Sequence, residues 1–127
     1  MTIGFDFDGT LKGAPHFEKF IQLMSPLLNE QTTFILTTRD EITAQVQRHT
    51  RKLGLNTHSN NMIAIGKILT NRMFDSKAHY IHTMNIKCDL FFDNDPYEIE
   101  DFRKYSIPCI WVPEMDKNSL IVTLLAE

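Results

Sequence analysis

A chain of 127 residues with 43% hydrophobic and 23% charged side chains has the size and composition of one globular domain, which excludes a disordered polypeptide. The formal net charge of −3 gives no general attraction to a polyanion, so a nucleic-acid role would need a local basic patch. No apolar run approaches the roughly 20 residues that span a bilayer and the N-terminus is unlike a signal peptide, so we expect a soluble, cytoplasmic protein with no membrane association.

Apolar patterning in the first half of the chain alternates between strand and helix. The pattern predicts, in order, a strand at 2–7, a helix at 15–28, a strand at 32–37 and a second helix. Pro15 suits the first turn of the first helix, whereas Pro26 is expected to end or kink that helix early. Asp40 can cap the second helix at its N-terminus, and Gly54 suits its C-terminal cap.

The second half continues the alternation. It predicts, in order, a strand at 62–69 with Gly66 as a bend, a helix at 77–85 capped by Asp75 or Ser76, a strand at 88–93, a helix at 96–105, a strand at 109–112 and a last helix capped by Asp116 or Asn118. Strands that alternate with helices of this length pair in parallel through right-handed crossovers. The expected fold class is therefore α/β, a three-layer α/β/α Rossmann-like domain with a mainly parallel sheet.

Three of the predicted strands end on polar side chains. The first ends in Asp6-Phe7-Asp8-Gly9-Thr10, the second in Thr37-Thr38-Arg39-Asp40 and a later one in Asp93-Asn94-Asp95, while Lys77 opens the helix before that later strand. Because ligands of open α/β sheets bind beyond the carboxyl ends of the strands, these clusters are expected to meet at one site.

The acidic residues in these clusters suit a hard cation. Two carboxylates held close together repel each other, and a bound Mg2+ relieves that repulsion, so Asp6 and Asp93 form the natural pair of metal ligands. Side chains alternate along a strand, which sends Asp6 and Asp8 to the same side and Phe7 into the core. Ordinary loop carboxylates are the alternative, but an acid within an apolar strand is costly to leave without a role.

Hydroxyl, basic and glycine residues beside the acids are the candidate phosphate ligands. They are Gly9, Thr10, Thr37, Thr38, Arg39 and Lys77. Each phosphate-binding role has an alternative. Thr38 takes the place of Thr37 if the register of the strand differs by one residue, and Lys77 could instead be a solvated helix residue. Arg39 is more often a surface ion-pair partner than a substrate contact.

In this order along the chain, the clusters resemble the four motifs of the haloacid dehalogenase-like superfamily of phosphohydrolases. Residues 5–11, Phe-Asp-Phe-Asp-Gly-Thr-Leu, look like its first motif, and residues 35–39, Ile-Leu-Thr-Thr-Arg, are similar to its second. Lys77, directly after Ser76, resembles the third motif, and residues 90–95, Leu-Phe-Phe-Asp-Asn-Asp, resemble the fourth. The resemblance covers the chain from residue 3 to about residue 95 and implies a single phosphatase domain over residues 1–127.

This resemblance implies a covalent mechanism. Asp6 would be the nucleophile that takes the phosphoryl group as an aspartyl-phosphate, a role that suits a carboxylate because it is ionised at neutral pH. Asp8 would protonate the leaving alcohol, then act as base on the attacking water, and its main-chain carbonyl would bind Mg2+. Thr37 and Lys77 would hold the phosphate.

The fourth motif departs from many relatives, which carry two acids there. Asp93 would complete the metal site, and Asn94 can orient a metal-bound water but has no charge. Asp95 either supplies the second carboxylate or caps the helix that begins near Pro96.

The spacing of the motifs indicates which substrates can enter. Neither the gap after the first motif nor the gap between the second and third holds a cap domain, so the chain looks like a capless member with an open site. Such a site admits a nucleotide, a nucleic-acid end or another bulky substrate, and a partner subunit could serve as its lid.

The segment 51–77 is distantly similar to the phosphatase domain of phage-type polynucleotide kinase-phosphatases and to small deoxynucleotide phosphatases. Basic residues to test as contacts for a nucleic-acid backbone are Lys12, Arg39, Lys67 and Arg72.

Two other functions fit the same residues. A receiver-like domain also uses strand-end acids, a Thr and a Lys around magnesium, but it accepts phosphate on an aspartate without rapid turnover. A non-catalytic phosphate-binding regulatory domain would keep the fold and not the chemistry. Asp8 argues against the first, because a receiver needs no general acid two residues after the nucleophile, and the intact pair Asp6 and Asp8 argues against the second.

Overall fold

The structure is a computed structural model that describes residues 1–71 and 73–114. Its strands are β1 (Thr2–Phe5), β2 (Thr32–Thr37), β3 (Met62–Ala64), β4 (Leu90–Asp93) and β5 (Cys109–Trp111). They form one sheet in the order β3-β2-β1-β4-β5, and every neighbouring pair is parallel. The last predicted helix, with its cap at Asp116 or Asn118, lies outside the described residues.

Helices cover both faces of this sheet. They are α1 (Pro15–Leu28), α2 (Ala44–Lys52), α3 (Gly66–Thr70), α4 (Lys77–Thr83) and α5 (Pro96–Lys104), with short 3-10 turns at Ser59–Asn61 and Val112–Glu114. Neighbouring strand residues alternate between two core clusters: Ile35 and Phe92 pack with residues of α1 and α2, whereas Phe34 and Phe91 pack with residues of α4 and α5. The predicted three-layer α/β/α architecture is confirmed, and among the described helices none is long and apolar enough to cross a bilayer.

The prediction that Pro26 ends α1 early is wrong, since α1 continues to Leu28, whereas a kink at Pro26 stays a prediction. A proline inside a helix leaves the carbonyl four residues earlier without its N–H donor. Here that carbonyl belongs to Gln22, and the hydroxyl of Ser25 donates to it at 3.1 Å. The side chain replaces the missing main-chain donor, so the last turn persists.

The predicted cap of the second helix is also wrong. The helix begins at Ala44, and Thr43 is its N-cap, with a hydroxyl that accepts a hydrogen bond from the N–H of Val46 at 3.4 Å. Asp40 lies in the loop before it, and its exposed side chain does not cap α2. Both residue types cap helices well, so composition alone does not choose between them.

The predicted strand at 62–69 contains two elements. β3 ends at Ala64, the N–H of Ile65 still donates to the carbonyl of Thr37 at 2.9 Å, and the chain then turns into α3 at Gly66. Gly66 approaches the main chain of residues 38 and 39 so closely that a Cβ would overlap it. The apolar residues beyond this point, Ile68 and Leu69, pack on the core at helical rather than strand spacing.

Candidate active site

Two neighbouring strands carry the acidic residues predicted to form a site. Asp6 follows β1 directly, and its N–H extends the ladder by donating to the carbonyl of Phe92 in β4 at 2.9 Å. Asp93 is the last residue of β4. Connections from β1 and from β4 leave the sheet in opposite directions in this strand order, which opens a crevice at their carboxyl ends. The topology therefore brings Asp6 and Asp93 to the ligand-binding edge.

A buried ammonium group joins these two carboxylates. Nζ of Lys77 lies 3.1 Å from Oδ1 of Asp6 and 2.9 Å from Oδ2 of Asp93. Lys77 is 3% exposed, Asp6 4% and Asp93 0%. The lysine is the first residue of α4, and the hydroxyl of Ser76 caps that helix by accepting from the N–H of His79 at 3.1 Å. The predicted position of Lys77 at the site is therefore observed, and its side chain is not solvated.

Burial and charge oppose each other in this triad, by which we mean Asp6, Lys77 and Asp93. Desolvation raises the pKa of Asp6 to about 6, assisted by the charge of Asp93 and opposed by Lys77. Desolvation also lowers the pKa of Lys77, but the charges of Asp6 and Asp93 outweigh it, so its pKa is raised above the ordinary value. Lys77 thus remains an ammonium group, whereas Asp6 changes its protonation state in the slightly acidic range.

Both carboxylate oxygens of Asp93 accept hydrogen bonds from other residues of the site. Its Oδ2 accepts from Lys77, and its Oδ1 accepts the N–H of Asp95 at 3.0 Å. It does not line the open cavity described below. As a direct metal ligand, Asp93 would therefore have to use the remaining lone pairs of these two oxygens.

A second group of oxygen atoms surrounds the side chain of Asn94. With its amide nitrogen turned towards them, Asn94 donates to Oδ2 of Asp6 at 2.8 Å and to the main-chain oxygen of Asp8 at 3.2 Å. In the opposite amide orientation, three oxygens from Asp6, Asp8 and Asn94 would converge, which is the donor set of a hard cation. Within the described residues, no group of three or more His, Cys, Asp or Glu side chains is placed to hold a metal. The residues therefore fit Mg2+ through one carboxylate, one carbonyl and one amide oxygen, a set that keeps several waters on the ion.

Asp8 lies in a different environment from Asp6. Its carboxylate is 54% exposed and accepts two hydrogen bonds from the guanidinium of Arg39, from Nε at 2.8 Å and from Nη2 at 2.9 Å. The hydrogen bonds from Arg39 hold the pKa of Asp8 below its usual range. Arg39 also lies over the ring of Phe7, which is fully buried as predicted. Asp8 is therefore an ionised carboxylate in this arrangement, and a proton-donating role requires it to leave Arg39.

The loop that follows Asp8 is closed by its own hydrogen bonds. The N–H of Gly9 donates to the carbonyl of Lys12 at 2.7 Å, and the N–H of Thr10 donates to the carbonyl of Phe7 at 3.1 Å. The hydroxyl of Thr10 donates to Oδ2 of Asp6 at 3.1 Å. Gly9 and Thr10 thus shape the loop and position the Asp6 carboxylate, and their N–H groups point into the loop and not at a ligand.

Gly9 is also required sterically. Its φ of +80° favours glycine, and a Cβ added there would overlap the side chain of Asn94. The absence of a side chain lets Asn94 pack directly on the loop.

An open cavity of about 340 Å3 lies over the triad and is referred to here as the polar cavity. Its described lining residues are Asp6, Asp8, Thr38, Lys77, Asn94, Asp95, Pro96 and Glu98. Thr38 lines this cavity, whereas Thr37 is buried and its hydroxyl accepts the N–H of Arg39 at 3.2 Å. Of the two candidate threonines, Thr38 is thus the one that a ligand in the cavity can reach.

Sequence reasoning missed Glu98. Its carboxylate lines the polar cavity and accepts the main-chain N–H of Lys77 at 3.1 Å. Desolvation raises the pKa of Glu98 to about 7, with Lys77 opposing and Asp93 assisting. An acid in the first turn of a helix is the available signal, but the approach of α5 to α4 decides where it points.

The remaining predicted residues lie as follows. Asp95 caps α5, since its Oδ1 accepts the N–H of Tyr97 at 2.9 Å, and it also lines the polar cavity. Lys12 lies in the first loop, where its main chain forms an isolated parallel β-bridge with that of Asp8. Lys67 is exposed and lies on α3. Arg72 lies outside the described residues.

Comparison with known proteins gives one distant structural similarity. No protein-family model matches the chain, and no curated protein matches it. Among solved structures, it is similar to hypothetical protein PH1952 from Pyrococcus horikoshii OT3, with 16% sequence identity and a TM-score of 0.36 over 87% of this chain and 40% of that one. The chain thus spans less than half the length of that protein. The five-stranded parallel sheet defines a Rossmann-like α/β protein, and any functional argument depends on the residues of the site.

Proposed function

We propose that the chain is a magnesium-dependent phosphatase that hydrolyses a phosphate monoester through an aspartyl-phosphate on Asp6. The observation that supports this best is the triad, in which a buried lysine ammonium holds a carboxylate at the wall of an open cavity. Asp6 has the exposure of a core residue, yet it lines that cavity. A buried carboxylate that faces a cleft beside a cation has the properties of a functional group.

Lys77 would act on both the nucleophile and the phosphoryl group. An ammonium group has three N–H donors, and two of them contact Asp6 and Asp93. The third can donate to a phosphoryl oxygen that enters the polar cavity. In that position Lys77 offsets charge in the transition state and keeps Asp6 ionised at neutral pH, because its charge opposes the effect of burial on the pKa of Asp6.

The proposed reaction has two steps. A carboxylate oxygen of Asp6 bonds to phosphorus as the ester oxygen leaves. Asp8 gives that oxygen a proton, which Asp8 has kept from the attacking water of the preceding turnover or has taken from solvent after leaving Arg39. Water then attacks the phosphorus, Asp8 takes its proton, and inorganic phosphate leaves Asp6. The ion pair between Asp8 and Arg39 must open for this, and the phosphate dianion supplies an alternative partner for Arg39.

The charges around the polar cavity support a role for a divalent cation. Asp6, Asp8, Asp95 and Glu98 line it, against one lysine. A phosphate dianion would be repelled by that excess of carboxylates unless a cation balances them. When bound by Asp6, the Asp8 carbonyl and Asn94, Mg2+ would supply that positive charge beside the phosphoryl oxygens.

The strand order does not favour the receiver-like alternative. A receiver has the flavodoxin-like order 2-1-3-4-5, whereas this sheet has the order β3-β2-β1-β4-β5. The non-catalytic alternative predicts phosphate binding without release of product, so a turnover assay separates it from the proposed function.

The decisive experiment compares two aspartate variants of the site with one control variant. Asp6→Asn should abolish magnesium-dependent release of phosphate from an aryl phosphate, and the exposed Asp40→Asn should leave it unchanged. Asp8→Asn should slow turnover more for an alkyl monoester than for an aryl monoester, because a poor leaving group depends more on the acid. Mass spectrometry should find a phosphoryl group on Asp6, and turnover that persists in Asp6→Asn would refute the covalent mechanism.

Metal binding has a test that does not require turnover. Mg2+ should raise the thermal unfolding midpoint of the wild-type protein and of Asp40→Asn. The increase should be smaller in Asn94→Leu, because this change removes one proposed oxygen donor and leaves the triad intact. An equal increase in both variants would place the ion elsewhere.

Substrate size is the second part of the proposal. Within the described residues, the segment between β1 and α1 is a short loop. The segment between β2 and α4 holds only α2, the 3-10 turn Ser59–Asn61, β3, α3 and their connections. No cap domain is formed by these residues, so the site is open to a nucleotide or a nucleic-acid end. Activity on 3′- and 5′-phosphorylated oligonucleotides, compared with nucleotides, tests this.

A further inference from the structure

A second cavity, which we call the apolar cavity, adjoins the polar one. Its volume is about 340 Å3, at the lower end of the roughly 300–1,000 Å3 of ligand pockets. Gly9 and Asn94 belong to its lining, and Asn94 lines the polar cavity as well. A molecule with its phosphate over Asp6 can therefore reach the apolar cavity across the side chain of Asn94.

The chemistry of the two cavities differs sharply. The apolar cavity is lined mainly by carbon, including Ala14, Pro15, Phe17 and Val112, and no Asp, Glu, Lys or Arg is among its described lining residues. Four carboxylates and a lysine line the polar cavity. A second phosphate or a charged group would lose its hydration in the apolar cavity without gaining a partner, so this cavity suits an uncharged apolar group.

The apolar cavity is held rigidly. Phe17 is buried, and its ring centroid lies 5.1 Å from that of Phe92 in β4. Pro15 and Pro113 form part of the exposed rim, where proline restricts the main chain. On the shared side, the indole Nε1–H of Trp111 donates to the carbonyl of Asn94 at 2.8 Å and fixes β5 against the site. Little ordering is needed when a ligand binds to walls of this kind.

We propose that the apolar cavity binds the alcohol part of the substrate, and that this alcohol carries a flat apolar ring, as in an aryl or a nucleoside monoester. The inference rests on the proposed function, since it places the transferred phosphate over Asp6. The lining supplies apolar and ring surfaces against which a flat ring can pack, from Pro15 and Pro113 of the rim, from Phe17 and from the imidazole of His16.

Filling the apolar cavity tests the inference. Ala14→Leu places a larger side chain in its wall, and Ala44→Leu makes the same change at an exposed position on α2. Values of kcat/KM are compared for naphthyl phosphate, a nucleoside monophosphate and glycerol phosphate. Ala14→Leu should lower kcat/KM for at least one ring-bearing ester by roughly tenfold or more relative to glycerol phosphate, and Ala44→Leu should not.

The pattern of losses identifies the source of the ring. A loss confined to naphthyl phosphate assigns a non-nucleoside aryl alcohol, and a loss for the nucleotide assigns a nucleoside. If all three esters change together, or none changes, the inference is overturned and the cavity is a structural gap or holds another part of the chain.

A binding measurement keeps the inference testable if Ala14→Leu does not fold, or if the chain is not a phosphatase. The wild-type protein, labelled at valine methyl groups, is titrated with naphthol and with a nucleoside, neither of which carries phosphate. The methyl resonances of Val112 should shift, whereas those of Val46, a buried residue of α2 outside the cavity lining, should not. Unchanged Val112 signals would refute the inference whatever the activity, and loss of activity in Asp6→Asn tests the proposed function separately.

Discussion

Replacing Asp6 by Asn should make the protein more stable at neutral and alkaline pH. Asp6 is 4% exposed, and desolvation raises its pKa from 3.8 to about 6. At about 1.36 kcal/mol per pKa unit, that shift makes the ionised carboxylate about 3 kcal/mol less favourable in the folded protein than in the unfolded chain. Asparagine has a similar shape and no charge, so Asp6→Asn should raise the free energy of unfolding by up to about 3 kcal/mol at about pH 8.

The pH dependence of this difference is the sharper test. A group with a raised folded-state pKa binds its proton more tightly when folded, so its stabilising contribution is complete below its unfolded pKa of 3.8 and is lost as the pH rises through about 6. The advantage of Asp6→Asn should therefore shrink to about 1 kcal/mol at about pH 4.5.

Urea unfolding followed by circular dichroism measures both values, with the exposed Asp40→Asn as the control for the same chemical change. A loss of stability in Asp6→Asn at about pH 8, or a gain that does not depend on pH, would refute this account of the triad.

Two further predictions use matched pairs of variants. Lys77→Met should destabilise the fold by about 3–5 kcal/mol in urea unfolding at neutral pH, because it leaves two buried carboxylates without their cation, whereas the exposed Lys67→Met should change stability by less than about 0.5 kcal/mol. Equal effects of the two changes would contradict the buried ion-pair network. Gly9→Ala and Gly13→Ala both place a side chain at a positive φ, of 80° and 101°, but only the first overlaps the Asn94 side chain, since the nearest atom to a Cβ at Gly13 is 3.7 Å away. Gly9→Ala should therefore lose at least about 1 kcal/mol more than Gly13→Ala in thermal unfolding, and equal losses would contradict this packing.

The fold follows closely from local sequence. The five strands were predicted because each contains a short apolar, β-prone run bounded by turn residues, and their parallel pairing follows from the helices between them. The position of the site follows from the same rule, since carboxyl strand ends form one edge. Two of the errors arose where the local sequence allows two structures. Thr43 and Asp40 can each cap the second helix, and the apolar run after Ala64 fits a strand as well as a helix.

The internal arrangement of the site depends on contacts between distant segments and was not predictable to the same degree. The ion pair of Asp8 with Arg39 joins residues 31 positions apart, and Glu98 reaches the N–H of Lys77 across 21 positions. The sequence contains these side chains, but their directions are decided by how α5 packs against α4 and how the loop after β2 turns. The position of Lys77, in contrast, was predictable. A helix that leads into a parallel strand begins at the carboxyl edge of the sheet, and that edge is where the site lies.

In the proposed mechanism, Asn94 helps Asp6 to remain ionised, and so available as the nucleophile, in an acidic cleft. Its amide lies 2.8 Å from Oδ2 of Asp6, the distance at which a second carboxylate would repel the first most strongly. The pKa of Asp6 is already raised to about 6 by burial and by Asp93. A carboxylate at position 94 would raise it further and would leave Asp6 protonated at neutral pH until a cation arrived. A neutral amide instead supplies a donor or an oxygen ligand without adding charge. Under the proposed function, Asp6 could therefore be ionised before magnesium binds, and the site would attract that ion less strongly than one with a further carboxylate.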